Sequence, residues 1–143
     1  CEDLDRFYEL NTSKVTDMGS MFFGQIRLES LDLSNWNTSN VTHMNFMFYG
    51  CTSLVSFDLS HWDLTSVTDM SNMFRECTSL TEIWIAGDLN DNVDCSDMFM
   101  DVNTSGVFYF DKTYSYGVIT AELPSTWKRV ACTLVDGVLV PNE

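Results

Sequence analysis

Basic residues are scarce in this chain: 7 Lys and Arg stand against 21 Asp and Glu over 143 residues, a formal net charge of -14. A field of that sign repels phosphate backbones and anionic lipid heads, which argues against nucleic acid or a membrane surface as partner. It favours solubility and cationic partners, divalent ions included. No run approaches the about 18 apolar residues that a bilayer-spanning helix needs. Histidine is limited to His43 and His61. His43 stands where its neighbouring repeats carry Asp17 and Asp69, and His61 stands where Asn35 sits in a turn. Neither belongs to a nucleophile–base motif, and no Gly-rich phosphate loop occurs, so no enzymatic activity and no cofactor are expected. The five cysteines (Cys1, Cys51, Cys77, Cys95 and Cys132) include no Cys-x-x-Cys pair and no zinc spacing. An odd count leaves at least one thiol free or bonded to another chain.

What the sequence does have is repetition. Asn11-Thr-Ser-Lys-Val-Thr-Asp-Met-Gly-Ser-Met-Phe22 returns as Asn37-Thr-Ser-Asn-Val-Thr-His-Met-Asn-Phe-Met-Phe48, and again as Asp63-Leu-Thr-Ser-Val-Thr-Asp-Met-Ser-Asn-Met-Phe74. Val15, Val41 and Val67 are 26 residues apart at each step, and a fourth copy, Val93 to Phe99, arrives one residue early. A fixed period of this length is the signature of a solenoid.

Each copy has two halves. The first carries Leu28, Leu31 and Leu33; Leu54, Phe57 and Leu59; Leu80, Ile83 and Ile85. The last two of each set flank one outward residue, the alternation of a short half-buried strand. The second half opens on Thr16-Asp17 or Thr68-Asp69, residue types that cap a helical turn. It continues with Met18, Met21 and Phe22; Met44, Met47, Phe48 and Cys51; Met70, Met73, Phe74 and Cys77; Cys95, Met98, Phe99 and Val102. The spacing i, i+3, i+4, i+7 places them on one face of a short helix. Strand, helical turn and apolar filling make one coil, which buries its faces only when neighbours stack. Trp36 and Trp62, recurring just after the strands, read as corner packing.

The run Leu31-Asp-Leu-Ser-Asn-Trp-Asn-Thr-Ser-Asn-Val-Thr-His-Met44, followed by Met47-Phe-Tyr-Gly-Cys-Thr-Ser-Leu54, resembles the BspA-like leucine-rich-repeat surface proteins, and the resemblance spans roughly Leu10 to Phe110. It implies a secreted or surface-exposed protein for adhesion or host contact, and no catalytic residue set. The expected fold is therefore a repeat β-solenoid of leucine-rich-repeat type, with parallel strands, short helical turns and a β-rich C-terminal cap. Residues 1–9 form a partial N-terminal edge, because the repeat places Glu2 and Asp5 where leucines belong and only Phe7 matches. Residues 10–111 form about four repeats. Residues 112–143 cap the last coil, with Asp136-Gly137 as a hairpin signal between two alternating segments.

Candidate sites follow from this frame. Outward strand positions make a column, Asp32, Asp58, Trp84 and Tyr109, able to grip a sugar ring or a partner's basic residue; the other reading is that the two aromatics pack beneath the C-terminal segment. Asn11, Asn37, Asn40 and Asn103 head N-glycosylation sequons, although the same triplets suit turns. Cys51 and Cys77 share a position in adjacent coils, where stacked strands about 4.8 Å apart admit a disulfide. Buried thiols packed as small apolar groups are the favoured reading, because Gln25 and Val102 fill the equivalent sites. Cys1 and Cys132 could staple neighbouring copies, or Cys1 could carry a bacterial lipid. Asp88, Asn90, Asn92 and Asp94 alternate like a calcium loop, but Val93 replaces its Gly and Phe99 its Glu, so no metal is assigned.

The function expected is non-enzymatic: an extracellular or cell-surface module that adheres to a protein or glycan partner. The alternative is a structural subunit that self-associates end to end into a fibre or array, through the unpaired edge of its first coil.

Overall fold

A computed structural model describes residues 9–142. The chain winds as a β-solenoid. Its strands are β1 (Ser56–Asp58), β2 (Glu82–Ile85), β3 (Val107–Asp111), β4 (Lys128–Val135) and β5 (Val138–Pro141), side by side in that order in one sheet. The first three pairings are parallel and the last is antiparallel. Phe57, Ile83 and Phe108 fall in one inward row, while Asp58, Trp84 and Tyr109 fall in one outward row. Single parallel bridges join Asp17, His43, Asp69 and Asp94 on another side of the coil. The bonds Thr42 N–H to Thr16 O and Thr68 N–H to Thr42 O, both 2.8 Å, bring the preceding valines Val15, Val41 and Val67 into a single line.

The core is a set of stacked columns. Phe22, Phe48, Phe74 and Phe99 lie ring on ring, with centroids 5.3, 5.5 and 5.6 Å apart and planes within 5°. Each such pair adds roughly 0.5–1.5 kcal/mol beyond the area it buries. Trp36 and Trp62 stack at 6.5 Å, and Trp62 Nε1–H donates to Leu33 O at 2.9 Å, tying the corner of one coil to the previous one. Thr12 and Thr38 are buried polar residues whose hydroxyls donate to Asn37 O and Asp63 O in the next coil.

The expected helical turns take a different form. Phe22 N–H does not reach back to Met18 O; it donates across to Met47 O at 2.9 Å, and Met18, Ser20 and Gly24 N–H likewise donate to His43, Asn45 and Tyr49 carbonyls. Within the segment the bonds are tight turns, Met21 N–H to Met18 O and Phe23 N–H to Ser20 O. Ser20 (φ 59°) and Gly24 (φ 71°) are left-handed, as are Phe46 and Gly50, Asn72 and Glu76, Asp97 and Asp101 in later coils. Two left-handed residues per coil break a helix and turn alternate N–H groups toward the neighbouring coil. Asp17, Asp69 and Asp94 accept from the N–H two residues on, as Asx turns rather than helix caps. Among the described residues the one helix is α1 (Gly117–Thr120), far from the repeats' turn segments in sequence.

The burial pattern of those segments matches the spacing even so: Met44, Met47, Phe48 and Cys51, and their counterparts one coil later, are fully buried. Met21 in the first described coil is 41% exposed. Leu31 to Leu33 also depart from expectation. Among the described residues they form no strand, and β1 is the edge of the sheet, tied to the first coil by Val55 N–H to Glu29 O. Pairing there would set Asp32 beside Asp58, and adjacent like charges disfavour it. The readings placed on Cys1, Glu2, Asp5 and Phe7 lie outside the described residues.

At the far end, β4 continues the parallel sheet with a shorter step: Val107 pairs with Lys128, 21 residues on. Asp136 and Gly137, at φ 50° and 79°, turn the chain into β5. Trp127 is buried under the last coil, with Nε1–H donating to Asn103 O at 2.6 Å. A second, smaller apolar cluster forms on the outer face, where Ala86, Cys132 and Leu139 pack with Trp84, Tyr109 and Val130.

Candidate binding groove on the outer sheet face

Outward strand positions at the open edge of the sheet frame two adjoining clefts. The first, about 330 Å³, lies between the first coil and β1 and is lined by Ser30, Asp32, Ser34, Ser56, Asp58 and His61, with Leu31, Leu33 and Phe57 at its floor. The second, about 170 Å³, is lined by Asp58, Ser60, His61, Trp84, Val138 and Leu139. Asp58 and His61 belong to both, so the two form one groove. Carboxylates and serine hydroxyls line one end; an indole and the β5 side chains wall the other.

Local turns aim these groups. Asp32 Oδ1 accepts from Ser34 N–H at 3.0 Å and Asp58 Oδ1 from Ser60 N–H at 2.8 Å, which leaves the second oxygen of each for the groove. Hydrogen bonds from the Ser34 hydroxyl and amide hold the Asp32 carboxyl below the usual carboxylate range, with a smaller contribution from His61 against slight burial. His61 Nε2 stands 3.9 Å from Asp58 Oδ2. Trp84 Nε1–H donates to Glu82 Oε1, which fixes the indole plane.

Of the four column residues, Asp32, Asp58 and Trp84 thus share the groove. Tyr109 does not line it: its ring stacks under Trp84, centroids 3.9 Å apart, within the outer-face cluster that Leu139 covers. His61 is the residue the column left out. Its signal was present as Asp58-x-x-His61, in a turn position where the preceding coil has Asn35.

The sequon asparagines are built into turns. Oδ1 of Asn11 and of Asn37 each accepts from the N–H and the hydroxyl of the serine two residues on, and Asp63, which heads no sequon, does the same with Thr65. Asn103 Oδ1 accepts from Ser105 N–H, and Asn40 Nδ2 donates to Ser13 O at 2.7 Å. In the stretch that resembles a calcium loop, Asp88, Asn90 and Asp94 each direct one oxygen to a nearby backbone N–H.

Cys51 and Cys77 are free and buried, the arrangement of the packed-thiol reading rather than of a disulfide. Each thiol donates to a carbonyl of the preceding coil, Cys51 Sγ to Phe22 O at 3.1 Å and Cys77 Sγ to Phe48 O at 3.0 Å. Burial pushes the Cys51 thiol up to about 11 and the Cys77 thiol up to about 12. Cys132 is free and fully buried, while Cys1, its suggested partner, lies outside the described residues.

A family model described as "Mycoplasma protein of unknown function, DUF285" matches residues 2–108. No curated protein and no solved structure matches the chain. The matched stretch runs through the stacked coils as far as Phe108 in β3 and stops short of β4 and β5. The chain belongs to the DUF285 family.

Proposed function

We propose that this protein is a non-enzymatic binding module of the extracellular space or cell surface, of the kind implied by its likeness to BspA-like leucine-rich-repeat proteins, and that it meets a protein or glycan partner through the outer sheet face. The observation that carries this reading is the groove itself, where Asp32, Asp58 and His61 converge beside Trp84 under the wall of β5. An indole face packs against the C–H face of a sugar or the stem of a lysine, and carboxylates accept the hydroxyls or the ammonium. The net charge of -14 reinforces the choice of a basic residue when the partner is a protein.

The test is binding of the purified chain to a glycan array and to an array of basic peptides. Asp32→Asn combined with Asp58→Asn should weaken any hit at least about tenfold with melting unchanged, a loss suited to removing charge-assisted bonds. Blank arrays, or hits indifferent to the double substitution, would remove the groove as the site. Labelling of intact source cells with a membrane-impermeant reagent tests the location.

A second reading, end-to-end assembly, has its own support: Met21, Phe23 and Ile26 of the first coil are exposed apolar residues near one end of the stack. Light scattering that reports a monodisperse monomer at high concentration would count against it.

A further inference from the structure

We infer that the end of the solenoid opposite the groove's open edge carries a separate pocket for a six-membered ring bearing one carboxylate. The cavity, about 410 Å³, is lined by Phe110, Tyr114, Ser115, Tyr116, Thr120 and Arg129, and lies within the size range of small-molecule sites. It is assembled after the last repeat. Asp111, buried at the end of β3, accepts from Thr113 N–H and turns the chain back, so that Tyr114 to Tyr116 lead into α1. β4 then returns beside β3 and delivers Arg129 opposite Phe108.

The walls are aromatic and fixed. Phe110 and Tyr116 meet edge to face, centroids 6.2 Å apart and planes 69° apart, forming a corner. Tyr116 is buried, and its hydroxyl donates to Gly87 O at 2.7 Å, which locks the ring. Arg129 is held by two carbonyls: Nη1–H donates to Trp127 O at 3.0 Å and Nη2–H to Thr120 O at 3.1 Å. A guanidinium has five N–H donors, so three remain. Among the described residues no carboxylate lies in ion-pair contact with it.

The charge of the wall chooses the ligand. This chain has three acidic residues for each basic one, and Asp32 and Asp58 line the outer groove. Here no Asp or Glu lines the wall, and Arg129 is its one charge. A carboxylate meets the remaining guanidinium donors, a ring fills the corner of Phe110 and Tyr116, and the Ser115 and Thr120 hydroxyls suit ring substituents. A uronic-acid sugar and an aromatic acid share that chemistry.

The test titrates the full chain at pH 7 with glucuronate, benzoate, glucose and acetate, read by calorimetry or ligand-observed NMR. Glucuronate or benzoate should bind at least about tenfold tighter than glucose and acetate, and the preferred acid identifies the kind of ring. Arg129→Gln should reduce that affinity about tenfold. Because Arg129 also ties α1 to β4, Tyr114→Ala serves as the second variant: its side chain makes no hydrogen bond among the described residues, and its loss should weaken binding several-fold with melting unchanged. The inference is overturned if neither acid binds, if glucose or acetate binds as tightly, or if both variants bind as the parent does.

Discussion

Trp84 and Tyr109 lie face to face across β2 and β3, their planes 10° apart. The stack sits on the outer face of the sheet, where Leu139 from β5 closes over it. It supports the hairpin on one side and walls the groove on the other, so its two roles can be separated by size. Trp84→Ala should cost about 2–3 kcal/mol, less than a fully buried tryptophan because the indole is only partly buried. Trp84→Phe keeps a stackable ring and should cost under about 1 kcal/mol. Urea midpoints of the two variants check this, and an unshifted midpoint for Trp84→Ala would show that the stack contributes nothing to folding.

The buried cysteines make a prediction about reactivity. Thiols at Cys51, Cys77 and Cys95 are buried and protonated well above neutral pH, with desolvation the leading cause. Only the thiolate is nucleophilic. Iodoacetamide at pH 8 should therefore leave all three unmodified in the native chain and label them in urea, as read by peptide mass spectrometry. Because the folded-state values are raised above the ordinary thiol value of 9.0, stability is fully present below pH 9 and falls as pH rises toward 11–12, where the unfolded chain loses protons first. A melting temperature that climbs between pH 9 and 11 would contradict this sign.

Gly106 is the glycine whose missing side chain matters for space. A Cβ placed there would clash with the Trp127 indole at Cε2, Cδ2 and Cζ2. The indole cannot swing away without breaking its bond to Asn103 O. Gly106→Ala should destabilise by about 1–3 kcal/mol, the usual cost of overpacking, and should increase protease cleavage after residue 106 before the coils open. Calorimetry together with limited proteolysis decides it.

Phe46 occupies a left-handed position (φ 58°) that Ser20, Asn72 and Asp97 fill in the other coils. A bulky side chain there costs about 1–2 kcal/mol, while asparagine tolerates it. Phe46→Asn should raise stability by about 0.5–1 kcal/mol, even after losing the contact with the Tyr49 ring. Gly50, at φ 70°, has room for a methyl group, its nearest neighbour being Gly24 Cα at 3.8 Å. Gly50→Ala should cost about 1 kcal/mol through backbone conformation alone. Equal midpoints for the two variants would refute the assignment of strain.

The period, the apolar rows and the Asp136–Gly137 turn were legible because each depends on residues near one another in sequence or at one fixed interval. The turn segments were misread as helical for a physical reason. Met44, Met47, Phe48 and Cys51 have the spacing of a helix face, but inward direction does not reveal where the N–H groups go, and these go to the next coil. The groove was half legible: Asp32, Asp58 and Trp84 follow from strand alternation, whereas His61 joins them only through the loop after β1 and the return of β5. The Arg129 pocket left no periodic trace, since it forms where the repeat stops.

One consequence follows from the reversed polarity of β5. The strands β1, β2 and β3 pair in parallel at matching positions, so a 26-residue duplication spliced between Leu54 and Leu80 would find parallel partners on both sides. Beyond Pro141 the pattern changes, because a further strand running in the direction of the coils would meet β5 antiparallel rather than parallel. A coil inserted upstream of β3 would thus keep parallel neighbours on both sides, and the β4–β5 hairpin would move outward with the end of the stack.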